Sequence, residues 1–198
     1  MDVTPTPAGT AGRAQSPVFR RRIGGISLMD LITGVAIASL LLGIGIPGFQ
    51  RYLASSRLVT STNLMARSLA LARSEAVRRR QVVVICKSRD QQTCTREGSW
   101  RQGWILFADE QPDRLRGENE PLLAARGPLP TGIQLDYRAF RSSNFITFYP
   151  TGISLANGTF TLCHRREAAS ARALIVSKTG RVRLSRRRAN GQPLDCPG

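Results

Sequence analysis

The sequence predicts an α+β fold: one long amino-terminal helix, apolar enough in its first half to cross a membrane, packs its second half on an antiparallel β-sheet. Three observations carry that expectation. An almost wholly apolar stretch covers 26–49, a helical stripe of apolar and small residues follows to about Arg80, and beyond it the chain breaks into short β-rich runs separated by turn residues. The length of 198 residues suits one domain with an appendage, and an apolar share of 41% is enough for a packed core.

Taken in order, residues 1–25 read as a leader, rich in Thr, Pro, Ala and Gly at its start and basic at Arg20, Arg21 and Arg22. The apolar stretch 26–49 has Asp30 as its only charge. As a helix it spans roughly 36 Å, sufficient for the hydrocarbon layer. The preceding arginines place the amino end in the cytoplasm and everything beyond Gly48 outside. A cleaved secretory signal is one reading, with Gly43-Ile44-Gly45 as its small-x-small site. A carboxylate costs about 2.5 to 3.5 kcal/mol at the centre of a membrane helix, so Asp30 argues against that reading and asks for a partner.

Residues 50–80 read as the soluble half of the helix. Leu58, Thr62, Met65, Leu69, Ala72 and Ala76 alternate spacings of four and three and form one core-facing stripe, while Arg57, Arg67, Arg73 and Arg78 fall on a solvated side. The remainder, 81–198, reads as a β head, with strands expected at 82–87, 103–108, 122–126, 133–137, 144–149, 159–163, 173–177 and 181–185.

Charge narrows the partners. Lys plus Arg number 29 against 13 Asp plus Glu, a formal charge of +16, so the partner should carry repeated negative charge. Only Lys87 and Lys178 are lysines. Arginine's planar fork suits phosphate, although a GC-rich genome produces the same bias. The carboxy-terminal segment concentrates the charge in Arg165, Arg166, Arg172, Lys178, Arg181, Arg183, Arg186, Arg187 and Arg188, against Glu167 and Asp195. Thr179-Gly180 reads as a turn, after which strand alternation sends Val182 and Leu184 to the core and Arg181 and Arg183 outward, roughly 6.6 Å apart along the strand. Such a comb suits a polyanion backbone; the competing reading is a basic edge strand that blocks pairing.

With one histidine, His164, and four cysteines lacking any C-x-x-C pair, a zinc site or histidine triad has little to draw on. No metal, cofactor or enzymatic activity is expected. Asp109, Glu110 and Asp113 read as a solvated acidic turn. An even cysteine count behind an export segment points to two disulfides in an oxidising compartment.

The string Gly24-Gly25-Ile26-Ser27-Leu28-Met29-Asp30-Leu31 resembles the type IV prepilin signal, which a peptidase cuts after glycine and in which an acidic residue stands fifth in the mature chain. The resemblance implies cleavage by prepilin peptidase between Gly25 and Ile26, methylation of the Ile26 amino group, and a subunit-assembly role for Asp30. The new α-amino cation of one subunit would neutralise that carboxylate on its neighbour. Ile and Asp stand where Phe and Glu are usual, the leader is long, and Pro47 lies where pilins often carry a helix-kinking proline.

The body resembles the GspH/FimT-type pseudopilins, in the strand motif from Trp100 through Trp104 and Phe107 to Asp109 and in the Phe148-Tyr149-Pro150-Thr151-Gly152 turn. This implies a type IV pilin-like fold and a single-pass inner-membrane protein with a periplasmic head, able to enter an extracellular pilus with other major and minor pilins. Within that fold Cys163 and Cys196 are expected to tie the tail to a strand and Cys86 and Cys94 to close a small loop; the sequence leaves the other two pairings open. Gly180-Arg181-Val182-Arg183 matches the Gly-Arg-x-Arg motif of FimT-type minor pilins, whose carboxy-terminal region is associated with DNA binding during natural transformation. The implied function is a minor pilin that takes part in pilus assembly and binds double-stranded DNA without sequence preference. Charge and proximity add Lys178, Arg186, Arg187 and Arg188 to the motif. The alternative is a GspH-type minor pseudopilin of a type II secretion system, which has no need of a basic tail. Contact of that tail with anionic lipid and a membrane-anchored enzyme are further alternatives with less behind them.

Overall fold

The computed structural model describes residues 27–140, 142–165 and 167–196. The leader expected at 1–25, with Gly25 and Ile26 at its cut, lies outside them. Helix α1 runs Leu28–Arg79. Its start is capped locally: the Ser27 hydroxyl accepts the Met29 N–H at 3.4 Å, and the Asp30 carboxylate accepts the Ser27 N–H at 3.2 Å. Asp30 thus has a partner in Ser27, just ahead of its own helix. Thr33 and Ser39 donate their hydroxyls back to the Met29 and Val35 carbonyls, which satisfies both groups inside an apolar run. By length and composition the helix can cross a membrane.

The chain divides into two compact units, Met1–Gly43 and Ile44–Gly198. In the first, the described residues are one helical stretch with its side chains exposed. The second holds the core, and there the expected stripe is the buried face of α1, widened by Ala54, Ser61 and Ser68. The added residues are small or carry a hydroxyl, which lets the sheets approach. Ser68 also accepts the Trp104 indole N–H at 3.0 Å and returns its own proton to the Leu64 carbonyl at 3.1 Å.

Among the described residues eight strands follow: β1 Val82–Lys87, β2 Trp104–Asp109, β3 Leu122–Arg126, β4 Ile133–Ala139, β5 Phe145–Phe148, β6 Gly158–His164, β7 Glu167–Val176 and β8 Val182–Ser185. Where one sheet was expected there are two, both antiparallel, ordered β3-β2-β1-β5 and β4-β6-β7-β8. The physical reason is the Gly127-Pro128-Leu129-Pro130 connection, which cannot continue β3 into a neighbouring pairing and carries the chain over to the second sheet. Both inner faces and the α1 stripe close one core, in which Trp100, Tyr137 and Phe160 pack ring to ring, the last two stacked at 4.1 Å.

Three local departures have identifiable causes. Trp100 sits on a single 3₁₀ turn, Trp100–Gln102, capped reciprocally by Ser99 and Gln102. Strand β7 starts at Glu167, earlier than expected, because a bulge between Leu162 and His164 lets pairing with β6 run on to a tight turn at Arg165; a run of Ala and Ser carries no β-branched signal for it. Asp109 is not in a solvated turn. It ends β2 buried at 3% exposure, its Oδ2 accepting the Arg114 N–H and its Oδ1 without a hydrogen-bond partner among the described residues. Burial, with the Glu120 carboxylate nearby, pushes its carboxyl up to about 6. Glu120, buried as well, ties the 110–120 loop by accepting the N–H groups of Glu110, Gln111 and Gly117.

Cys86 is bonded to Cys94 and Cys163 to Cys196. The second bond returns the tail to β6.

Candidate nucleic-acid interface

Strands β7 and β8 form a hairpin whose turn is Ser177-Lys178-Thr179-Gly180. The Gly180 N–H donates to the Ser177 carbonyl at 2.9 Å and the Ser177 N–H to the Arg181 carbonyl at 3.0 Å. Gly180 has φ +73°, and a Cβ there would lie 2.0 Å from the Gly152 carbonyl oxygen. Both conditions demand glycine. The glycine of the Gly-Arg-x-Arg string is therefore the point at which the hairpin is pressed onto the Tyr149–Gly152 turn. Two further bonds hold it there: the Ser154 N–H donates to the Lys178 carbonyl at 2.9 Å, and the Lys178 N–H to Asn157 Oδ1 at 2.8 Å. The connection from β5 to β6, which passes from the first sheet to the second, thus fixes the β7–β8 turn.

From this anchored turn Arg181 and Arg183 are exposed. Arg183 stands across from Ile175 and, through it, in one row with Thr159 and Arg138, on the outer face of the second sheet. Val182 is half-buried against the core. Leu184 departs from expectation: it shares the inner-face row with Leu174, Phe160 and Tyr137, yet is 54% exposed. The reason is that β8 is an edge strand, with no further strand beside it to cover the end of that row.

The structure brings Lys178, Gly180, Arg181 and Arg183 together in one hairpin, and Arg186, Arg187 and Arg188 lead on from it. Their surroundings differ. Arg186 is exposed, Arg187 donates to the Gly191 carbonyl at 3.3 Å within a small tail turn, and Arg188 forms an ion pair with Asp195. Arg188 carries its own counter-charge, whereas among the described residues Arg181, Arg183 and Arg186 form no ion pair with a carboxylate. Arg73 of α1, read from the sequence only as part of the solvated helix side, joins the site: its Nε lies 3.2 Å from where a Gly180 side chain would begin, which adds a guanidinium beside the turn. Nothing in the sequence links positions so far apart; only the helix phase, which puts Arg73 off the buried stripe, shows that it faces outward.

Chemically, such a surface, with guanidinium groups around the hairpin and no carboxylate among the described residues paired with its exposed members, can pair with an extended anion. A long amino-terminal helix packed on antiparallel sheets defines a protein of the type IV pilin-like class. The family model described as type II transport protein GspH matches residues 61–180, and the chain belongs to that family. Among solved structures it is similar to the type IV minor pilin FimU of Pseudomonas aeruginosa, at 19% identity and a TM-score of 0.50 over 66% of this chain and 89% of that one. It is also similar to the minor pseudopilin EpsH from the type 2 secretion system of Vibrio cholerae, at 14% identity and a TM-score of 0.47 over 65% and 96%. At 19% identity the likeness to FimU is one of fold. No curated protein matches the chain in sequence.

Proposed function

We propose that this protein is a minor type IV pilin of the FimT type that binds double-stranded DNA without sequence preference through the β7–β8 hairpin and so takes part in DNA uptake. The observation that supports it most is the exposure of Arg181 and Arg183 beside a turn that only glycine permits. Arginines facing phosphates release counterions and read no base edge, so binding is electrostatic. Lys178, Arg186 and Arg187 extend the contact, and Arg188 contributes least because Asp195 offsets it. In this reading prepilin peptidase cuts after Gly25, Ile26 becomes the amino terminus, and the helix 26–49 holds the protein in the inner membrane with its head, 81–198, in the periplasm. Asp30 and the helix join other pilins on assembly. The mass of the protein extracted from membranes checks processing, and an intact leader sinks that part.

The DNA reading is tested by titrating duplex DNA at a series of salt concentrations against the detergent-solubilised protein and an Arg181→Gln, Arg183→Gln double variant. The expected result is weaker binding and a log K against log salt slope flattened by about 1.8, or roughly 0.9 per lost phosphate contact. Equal slopes and affinities in a folded variant would move the second reading ahead. That reading, a minor pseudopilin of a type II secretion system, draws on the description of the family model.

A further inference from the structure

A second basic feature lies away from the hairpin. Between α1 and the turn that precedes β4 there is a cavity of about 460 Å³. Gln50, Leu53 and Arg57 form its helical wall, and His164 and Arg165 stand among the residues opposite. No carboxylate lines it among the described residues. The site is shaped from within: His164 is 7% exposed, and Gly132, at φ +92°, would carry a Cβ 2.8 Å from the His164 Nε2, so a side chain there would strike the ring.

Its location singles out one class of anion. Gln50 directly follows the apolar stretch, whose last large members, Ile44, Ile46 and Phe49, belong to this same unit and are exposed. The cavity wall begins one residue after Phe49 on the same helix, so where that helix leaves the hydrocarbon layer the two arginines meet the lipid headgroups of the periplasmic leaflet. Arginine is the side chain that grips phosphate as a fork, and Leu53 offers an apolar surface to the glycerol end. We propose that this cavity seats the phosphodiester headgroup of an anionic phospholipid, held by Arg57 and Arg165, while the protein resides in the bilayer. The proposal rests on the reading that the apolar helix spans a membrane.

The test uses the full chain reconstituted in phosphatidylcholine vesicles with about one part in five phosphatidylglycerol. Lipids co-purifying after gentle extraction are counted by mass spectrometry, and flotation reports insertion separately. The unmodified chain should retain the two lipids at a phosphatidylglycerol-to-phosphatidylcholine ratio roughly tenfold that of the bulk, an Arg57→Gln, Arg165→Gln variant should retain them at the bulk ratio, and the Arg181→Gln, Arg183→Gln variant should keep the enrichment. A chain that inserts and shows no enrichment, or a cavity variant that inserts and keeps it, overturns the headgroup site alone. A chain that does not float with vesicles overturns the membrane reading as well. Release of the bound lipid by inorganic phosphate at about millimolar level assigns the cavity to free phosphate and overturns the lipid proposal.

Discussion

The two sheets share one core on their inner faces and differ on their outer ones. In the first, Val84, Cys86, Ile105 and Phe107 make a second apolar cluster on the outer side, with Val82, Cys94, Leu122, Ala125 and Phe145 packed around it. Strands β1 and β2 are therefore buried on both faces. In the second, the outer rows carry Arg138, Thr159, Ile175 and Arg183, and Asp136, Thr161, Ala173 and Ser185. The same strand geometry yields a sealed layer in one sheet and, in the other, a face on which Arg138 and Arg183 stand exposed on either side of the buried Ala173 and Ile175. What differs is only which residues occupy alternate positions. The first sheet is built for stability, and the second presents the side chains that can meet a partner.

The largest expected effect comes from opening the sealed layer. Phe107 is fully buried, so Phe107→Ala should cost about 3 to 5 kcal/mol. Thr159→Ala, on the outer face of the other sheet, should change stability by no more than about 0.5 kcal/mol. Denaturant titration of the two variants checks the contrast, and similar costs would mean that the outer face of the second sheet is also a packing surface.

The disulfides repeat the comparison. Cys86–Cys94 closes 8 residues beside the apolar cluster, whereas Cys163–Cys196 closes 33 and returns the basic tail to β6. In the chain-entropy model the longer closure contributes about 3 to 4 kcal/mol and the shorter about 2 to 3. Cys163→Ser with Cys196→Ser should lower thermal stability more than the corresponding pair at Cys86 and Cys94. It should also free Arg188 from Asp195 and so, in the proposed contact with DNA, steepen the dependence on salt. A tail pair that costs less than the loop pair would show that packing, not closure, sets the value of each bond.

The helix stripe and the eight strands were legible because period and turn residues are local signals. Leu58 to Ala76 keep a helical spacing that one contiguous face must bury, and each β-rich run is bounded by Gly, Pro or charged turns. Pairing is not local: the glycine and prolines between Arg126 and Ile133 show that β3 ends, but not which strand the chain pairs with next. The site was legible in part for the same reason. Arg181 and Arg183 follow from alternation, but Leu184 is exposed because its strand is an edge, and Arg73 joins the turn through a contact more than a hundred positions away. The buried Glu120 knot was missed since its partners are backbone N–H groups, which no side-chain pattern encodes.

The smallest stability effect distinguishes the carboxylates of the two sheets. Asp136, on the outer face of the second sheet, meets Arg138 at 3.0 Å and is open to water. Asp109, at the end of β2, is buried beside Glu120 with its carboxyl raised to about 6. A carboxylate whose folded value lies above its unfolded one costs stability wherever it is ionised in both states, and that cost is relieved as pH falls from about 6 towards the ordinary range near 4. Asp109→Asn removes the charge and leaves an oxygen to accept the Arg114 N–H. The variant should therefore be more stable than the unmodified protein by on the order of 2 kcal/mol at pH 7, with the advantage gone near pH 4. Asp136→Asn should show no such gain at neutral pH, because its charge is solvated and paired. Chemical denaturation of both variants across this range measures the difference directly. An Asp109→Asn advantage that stays constant with pH would trace the gain to packing at the end of β2 and not to a buried charge.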